Sequence, residues 1–149
     1  MPKALERCQR FRQSREELFP FFADAFNLER ITPPWLGFRV LTPAPIEMRV
    51  GALIDYRLSL YGIPVRWRTE IRGWDPPYRF VDAQLRGPYR QWVHEHRFED
   101  DGDGCLMIDR VEYISPLGWL VHRPLVTPQV EQIFDYRCDA LRKIFGSEG

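Results

Sequence analysis

The chain lacks several features that would point to a specific class of protein. Its three cysteines, Cys8, Cys105 and Cys138, have no Cys-x-x-Cys spacing. An odd count without that spacing argues against a disulfide framework and against a zinc ribbon. No apolar run reaches the roughly 18 residues that a membrane span needs, and "MPKALERCQRF" lacks the apolar stretch of a signal peptide. We therefore expect a cytoplasmic protein without a transmembrane segment, which leaves room for transient membrane contact.

A predominance of one charge is also missing. The 21 Lys and Arg residues balance the 21 Asp and Glu residues. Nucleic-acid binding usually requires a basic face or stripe, so we expect no nucleic-acid partner. One mild basic cluster is typical of a solvated surface and consists of Arg7, Arg10, Arg12 and Arg15. Nothing in the sequence indicates an oligomeric state.

Aromatic residues are abundant, with five Trp, six Tyr and ten Phe among 149 residues. A chain of this length usually forms one domain and buries about two-thirds of its unfolded surface, so we assign residues 1–149 to a single domain. The aromatic residues indicate either a bulky core or an aromatic-lined cavity, and composition does not separate the two.

The first third of the chain combines a strand with short helices. Loose alternation over residues 3–12 predicts the strand. Ser14 and Glu17 have the spacing of a capping box, and Pro20 makes the helix that follows short or kinked. A second short helix is predicted from near Asn27 to the Pro-Pro pair that stops it.

Between Trp35 and Ser115, apolar and polar residues alternate with a period of two. This alternation predicts an antiparallel sheet with one face in water, beginning with a strand in "GFRVLTP" and clearest in "ALIDYRLSLYG" and "VRWRTEIRGW". Turn signals such as "DDGDG" recur about every ten residues, which leaves no room for crossover helices. We predict a meander of about six strands.

The C-terminal part has the pattern of one long amphipathic helix. Thr127 suits its cap, Pro128 its first turn and Gly146 its end. The apolar stripe must be buried against the curved sheet, the only large partner; it includes Val130, Ile133, Phe134, Leu141, Ile144 and Phe145. The predicted fold is α+β, with about seven antiparallel strands wrapped around the helix in the order β-α-α-β6-α and a cavity between them.

The order of elements and several stretches resemble the START/Bet v 1-like (SRPBCC, helix-grip) superfamily, and within it the bacterial polyketide cyclase/dehydrase-type domains. These stretches are "NLERITPPWLGFRV", "WRTEIRGWDPPYRFVD", "GPYRQWVHEHRFE", "DRVEYISPLG" and "IFDYRCDALRKIF". The resemblance implies a helix-grip fold whose cavity binds lipids, sterols, quinones, polyketides or plant hormones, and some members cyclise or dehydrate polyketides. None of these stretches is a catalytic signature.

The stretch "QWVHEHRFE" places two of the three histidines one residue apart. On a strand, alternate side chains share a face. One face carries Trp92, His94, His96 and Phe98, and the other, mostly charged, carries Val93, Glu95, Arg97 and Glu99. Because the charged face belongs in water, the two imidazoles should point towards the concave side that the helix covers.

Three interpretations of the imidazoles remain open. They are hydrogen-bonded interior residues, polar groups that orient a ligand, or groups that perform chemistry. A catalytic zinc site needs a third protein ligand. His122 lies beyond the "SPLG" turn, far from the middle of the strand, and Asp109 qualifies only if its strand is adjacent to that of His94 and His96. We therefore expect no metal site and no cofactor.

A catalytic role for the imidazoles would be acid–base chemistry. A neutral imidazole buried among aromatic rings can accept a proton, with Asp109 as a candidate carboxylate partner. The chain has no G-x-S-x-G motif, so a covalent mechanism is not expected.

Alternation adds further candidates for the cavity, each of which also fits plain core packing. They are Tyr56, Leu58, Trp67, Thr69, Val111 and Tyr113 on the strands, and Phe134 and Arg137 on the helix. An arginine in mid-helix usually faces water, and inside the fold it would need a carboxylate or another anion. Whether Trp67 and Trp92 line the cavity or fill it stays open at this stage.

The predicted function is binding, as a carrier or sensor, of a hydrophobic or amphipathic small molecule such as a lipid, quinone or polyketide. The two short N-terminal helices, with Trp35 beside them, are the predicted lid. One alternative is a metal-free cyclase or dehydratase-like lyase that uses His94 or His96 as a general base. The other is a partner-binding module with a vestigial cavity.

Overall fold

The computed structural model describes residues 2–60, 62–115 and 127–146. A seven-stranded antiparallel sheet has the order β1-β7-β6-β5-β4-β3-β2. Its strands are β1 (Lys3–Phe11), β2 (Arg39–Val40), β3 (Leu53–Leu60), β4 (Ile63–Asp75), β5 (Arg79–Arg86), β6 (Gln91–Asp101) and β7 (Gly104–Ile114). The curved sheet with its C-terminal helix confirms the predicted helix-grip fold, in which the six later strands form a meander and β1 joins them beside β7.

The first helix, α1 (Arg15–Ala23), begins with the predicted capping box. The Ser14 hydroxyl accepts a hydrogen bond from the Glu17 amide, and the Glu17 carboxylate accepts one from the Ser14 amide, both at 3.2 Å. Pro20 lies within the helix, which has only nine residues. The predicted second helix is instead a pair of 3₁₀ segments, Ala25–Arg30 and Pro34–Leu36, a geometry that proteins use in short pieces.

Strand β2 is shorter than the alternation in "GFRVLTP" predicts. It covers two residues and pairs with β3. Beyond it, the Leu41 amide still donates to the Asp55 carbonyl at 2.7 Å, but the Asp55 amide donates to the Thr42 hydroxyl at 2.8 Å. A side chain thus replaces the backbone at this edge of the sheet.

The C-terminal helix, α2 (Thr127–Phe145), packs its apolar stripe on the sheet. It ends at Gly146, whose φ of 92° favours glycine and whose amide donates to the Arg142 carbonyl at 2.8 Å. The predicted cap concerns the Thr127 side chain, which lies outside the described residues, as does His122. Among the described residues, no helix is both long and apolar enough to cross a membrane.

The concave face of the sheet is divided into two regions. The packed region is a cluster of buried aromatic rings between α1 and the sheet, formed by Phe11, Phe19, Phe22, Phe80 and Phe98. The cavity region lies beside it, where the 3₁₀ segments and the middle of α2 cover strands β3 to β6.

The pairing of β5, β6 and β7 fixes which polar side chains meet. Asp82 lies opposite His94, and Asp109 lies opposite His96. The β6–β7 register runs without a shift from Gln91 to Asp101, so no bulge turns either histidine outward. The β4–β5 pairing does shift in register, between Arg68 and Thr69 and between Ile71 and Gly73.

Candidate functional site

Both histidines of "QWVHEHRFE" point inward, as their alternation predicts. His94 is 4% exposed and His96 2% exposed, whereas Arg97 on the opposite face is exposed. The two rings stack with their centroids 3.7 Å apart. They lie at the boundary between the packed region, where Phe80 stacks on His96 at 3.9 Å, and the cavity region.

A cavity of about 130 Å³ lies between the sheet, the 3₁₀ segments and α2. Eight of the residues predicted for the site line it: Tyr56, Leu58, Trp67, Thr69, Trp92, His94, His96 and Arg137. Eight further lining residues come from outside that set: Leu28, Thr32, Leu36, Phe38, Leu60, Asp82, Tyr89 and Ile133. The lining is mostly aliphatic and aromatic, with its charged groups gathered at one end.

Four predicted site residues lie in core clusters instead of the cavity lining. Phe98 packs against Phe19 and Phe22, with ring centroids 5.2 and 5.4 Å away. The other three form a cluster with Val130 and are Val111, Tyr113 and Phe134. Alternation identified the face of the strand residues correctly, but α1 packs on Phe98, and Val130 and Phe134 of α2 pack on Val111 and Tyr113.

Trp67 and Trp92 line the cavity and do not fill it. Their rings meet edge to face at 5.3 Å, and Tyr89 packs on Trp67 at 5.7 Å. Phe38 and Tyr56 form a second aromatic pair at 4.8 Å. Such pairs contribute about 0.5–1.5 kcal/mol beyond their buried area, and they give this part of the cavity rigid aromatic walls.

One end of the cavity carries a buried network of hydrogen-bonded polar groups. His94 Nε2 lies 2.9 Å from Asp109 Oδ1, and His96 Nε2 lies 2.7 Å from Asp82 Oδ2. His96 Nδ1 is 3.2 Å from the same Asp109 oxygen. Within the part of the chain that the structure describes, His94 Nδ1 makes no hydrogen bond.

Arg137 belongs to this network and does not face water as most mid-helix arginines do. It is 8% exposed, and its Nε lies 3.5 Å from Asp109 Oδ2. Its Nη2 approaches His96 Nδ1 at 3.3 Å. The carboxylate that a buried arginine requires is therefore present, because Asp109 is an inward-facing residue of the strand next to β6.

Burial and charge act in opposite directions on the two carboxylates. Burial alone would raise the pKa of Asp109, but the Arg137 charge and the hydrogen bonds from both histidines hold it well below its ordinary value. Burial would also raise the pKa of Asp82, and the hydrogen bond and charge of His96 lower it. Both groups are therefore carboxylates at neutral pH.

The two imidazoles differ in their titration. Burial and the charge of His96 lower the pKa of His94 to about 4. Burial acts in the same direction on His96, but its pKa is raised because Asp109 and Asp82 both hydrogen-bond to it. Burial, and then the charge of Asp82, raises the pKa of Tyr56. The negative charges of Asp82 and Asp109 are balanced by the positive charges of Arg137 and of a protonated His96.

Asp82 is the most informative residue that the sequence analysis did not identify. It shares its strand face with buried Phe80, and this alternation in "RFVDAQLR" was the available signal. Three groups, Asp82, His94 and His96, each offer one ligand atom, and these atoms lie within 4.8 Å of one another. Tyr89 gave no comparable signal, since it lies in the turn between β5 and β6.

The 3₁₀ segments cover the cavity, where the sequence predicts a lid. Leu28, Thr32 and Leu36 contribute to its lining. Trp35 is 57% exposed and packs edge-on against Tyr136 of α2 at 5.8 Å. Only a few side chains therefore separate the cavity from the surface on this side.

Comparison with known proteins identifies the scaffold. The family model described as "Polyketide cyclase / dehydrase and lipid transport" matches residues 13–142. No curated protein matches the chain significantly.

Solved structures match the fold over almost the whole chain. Protein CV1439 from Chromobacterium violaceum has a TM-score of 0.76 at 13% identity, covering 99% of this chain and 100% of that one. Major latex-like protein 151 from Panax ginseng has a TM-score of 0.70 at 12% identity, covering 99% of both chains. Protein Ms6760 from Mycobacterium smegmatis has a TM-score of 0.70 at 16% identity, covering 97% of this chain and 95% of that one.

Proposed function

Because the chain belongs to the polyketide cyclase/dehydrase and lipid transport family, we propose that it binds a hydrophobic or amphipathic small molecule in its cavity, as a carrier or sensor. The observation that carries the proposal is the cavity itself, with aliphatic and aromatic walls and polar groups gathered at one end. Ligand pockets in proteins commonly have this composition, in which apolar walls supply affinity and a few polar groups fix orientation.

The cavity volume limits the size of the buried group. An engineered apolar cavity of about 150 Å³ holds benzene, so 130 Å³ corresponds to about one ring. Among lipids, quinones and polyketides, a quinone ring or a single ring of a polyketide fits this space directly. A longer ligand would extend towards the 3₁₀ segments and displace Leu28 or Leu36.

The polar end favours a ligand with a hydrogen-bond donor. His94 Nε2 is engaged by Asp109, and Nδ1 has no partner among the described residues. A ring nitrogen whose neighbour donates to a carboxylate is left as an acceptor, so it suits a ligand hydroxyl. A free carboxylate would meet the negative charges of Asp82 and Asp109, which the single Arg137 cation, 3.5 Å from Asp109, does not fully offset.

Cavity binding is tested by native mass spectrometry of the purified protein and by thermal shift against hydroxylated rings, quinones and fatty acids. We expect a retained small molecule or a raised Tm with ring compounds. Leu58→Trp places an indole in the cavity and should abolish the shift, whereas Leu85→Trp, on an exposed strand position, should keep it. A bare mass spectrum together with no shift from any compound would contradict the proposal.

A second candidate function, a cyclase or dehydratase-like lyase, is favoured by the orientation of His94. A base held by a buried carboxylate, with its other nitrogen unengaged, is the arrangement that general-base catalysis uses. Asp109 and His94 have this arrangement at 2.9 Å, whereas both nitrogens of His96 are engaged.

The variant His94→Gln separates the two candidate functions. If His94 is a base, turnover of a polyketide substrate should fall by about 100-fold or more while the affinity for its product is retained. If His94 only orients a ligand, affinity falls instead. Equal turnover in wild type and variant would rule out the lyase.

A further inference from the structure

We propose that Asp82, His94 and His96 form a binding site for one divalent transition-metal ion of the zinc or ferrous class. The inference goes beyond small-molecule binding and does not depend on it. Two imidazole nitrogens and one carboxylate are the protein ligands of many catalytic zinc sites and of non-haem iron sites. The three ligand atoms here lie within 4.8 Å of one another.

The third ligand comes from a strand that the histidine motif itself does not reveal. Asp82 lies on β5 directly opposite His94 on β6. Its side chain is 20% exposed, against 2% for His96. The cluster is therefore open on the carboxylate side, where an ion can enter, and closed on the imidazole side.

A second carboxylate orients both imidazoles for metal binding. Asp109 Oδ1 lies 2.9 Å from His94 Nε2 and 3.2 Å from His96 Nδ1. If these two nitrogens carry the protons, His94 Nδ1 and His96 Nε2 are left as the ligand atoms, and His96 Nδ1 no longer accepts a hydrogen bond from Arg137 Nη2. Metal-binding histidines almost always donate their other ring N–H to a carboxylate, carbonyl or water, and here one carboxylate serves two of them.

Arg137 completes the support around the ligands. Its Nε is 3.5 Å from Asp109 Oδ2, the oxygen that the histidines do not use. The Arg137 charge is thus directed at Asp109, and Asp82 is the carboxylate that would face the ion.

The two imidazoles stack with centroids 3.7 Å apart, so they must tilt for their ring nitrogens to converge on an ion. Bonds of 2.0–2.1 Å in tetrahedral geometry place ligand atoms about 3.3 Å apart, so the widest pair must approach. In the absence of an ion, His96 Nε2 and Asp82 Oδ2 hydrogen-bond at 2.7 Å, which keeps two of the three ligands together.

Three protein ligands leave at least one coordination position for water or for a ligand in the cavity. His94, His96 and Asp82 all line the cavity, so an ion at this place would form its polar end. Such an ion polarises oxygen atoms of a bound molecule. It would also occupy His94 Nδ1, so metal binding and metal-free general-base catalysis by His94 exclude each other.

The test uses tag-free, full-length protein treated with EDTA, then titrated with ZnCl₂ by calorimetry and with CoCl₂ by absorption spectroscopy. We expect one equivalent of each ion and a cobalt spectrum of low coordination number. Asp82→Asn should weaken zinc binding at least tenfold, since an amide still accepts the His96 N–H but is a poor metal ligand. Asp103→Asn, an exposed turn residue, is the matched control and should bind like wild type.

X-ray absorption of zinc-loaded wild type provides a readout that requires no variant, and two imidazoles in the coordination sphere are expected. Absence of stoichiometric binding would overturn the proposal. So would binding that Asp82→Asn leaves unchanged, or a sphere without two imidazoles, since either would indicate an adventitious ion only. The titration contains no organic ligand, so its failure would leave the cavity-binding proposal untouched.

Discussion

The packed region and the cavity region use the same kinds of residue on the same face of one sheet, with opposite results. In the packed region, Phe19 of α1 meets Phe80 and Phe98 at ring distances of 5.8 and 5.2 Å. In the cavity region, Trp67 and Trp92 meet each other at 5.3 Å and border a space of about 130 Å³. Aromatic content therefore does not determine whether a helix-grip interior is filled.

The covering element accounts for the difference. The helix α1 inserts Leu18, Phe19 and Phe22, all under 5% exposed, into the packed region. The two 3₁₀ segments and the residues between them place Leu28, Thr32 and Leu36 over the cavity region, none of which is aromatic. The network of Asp82, His94, His96 and Arg137 lies where the two regions meet.

The largest expected effect is in the packed region. Phe98→Ala should lower the free energy of unfolding by about 3–5 kcal/mol, because a 1%-exposed ring leaves a cavity that the surrounding rings cannot close. Leu58→Ala, in the cavity region, should cost about 2 kcal/mol, since Leu58 already borders empty space. Urea unfolding measures the free energy of unfolding of both variants. Equal decreases in the two variants would contradict the distinction between the packed region and the cavity region.

The next effect concerns the network at the boundary. Asp109→Asn should lower stability by about 3 kcal/mol, since it leaves the Arg137 guanidinium buried without its carboxylate. The double variant Asp109→Asn with Arg137→Leu should recover a large part of the loss. Denaturation of the single and double variants gives the coupling energy, and strictly additive losses would show that the pair is not coupled.

A smaller effect comes from adding volume to each region. Leu18→Phe should destabilise the protein by about 1–3 kcal/mol, because a fully buried leucine in the packed region has no free space beside it. Leu58→Phe should be close to neutral or stabilising, since the added atoms enter the cavity. The Tm values of the two variants measure this difference. A larger decrease in Tm for Leu58→Phe than for Leu18→Phe would indicate that the cavity has no room for the added atoms.

The smallest effect is expected at the lid. Trp35→Ala removes a 57%-exposed ring from Tyr136 and should change the free energy of unfolding by no more than about 0.5 kcal/mol. It should, however, speed the exchange of a cavity ligand, which stopped-flow tryptophan fluorescence of Trp67 and Trp92 can follow. An unchanged exchange rate would place the entrance elsewhere.

Much of the scaffold could be predicted from the sequence, because the relevant signals are local. The Ser14–Glu17 capping box and the final turn at Gly146 depend on residues within four positions of each other. The inward direction of His94 and His96 follows from the charges of their neighbours on β6. These predictions are confirmed.

The meeting of Asp82 with the histidine pair could not be predicted in the same way. It depends on the β5–β6 register, which the turn around Tyr89 determines, and the sequence alone does not specify that turn geometry. Nor could alternation separate Phe98, which is packed, from Trp92, which lines the cavity. That distinction depends on where α1 ends and the 3₁₀ segments begin.

The most direct test of the central claim, that one region is hollow and the other filled, is a crystal structure of the protein under xenon pressure. Xenon enters apolar cavities large enough to hold it. We predict a xenon site bordered by Trp67, Trp92 and Leu58, and none among the rings of the packed region. The absence of a xenon site beside Trp67 and Trp92, or xenon bound among Phe19, Phe80 and Phe98 instead, would contradict this division of the interior.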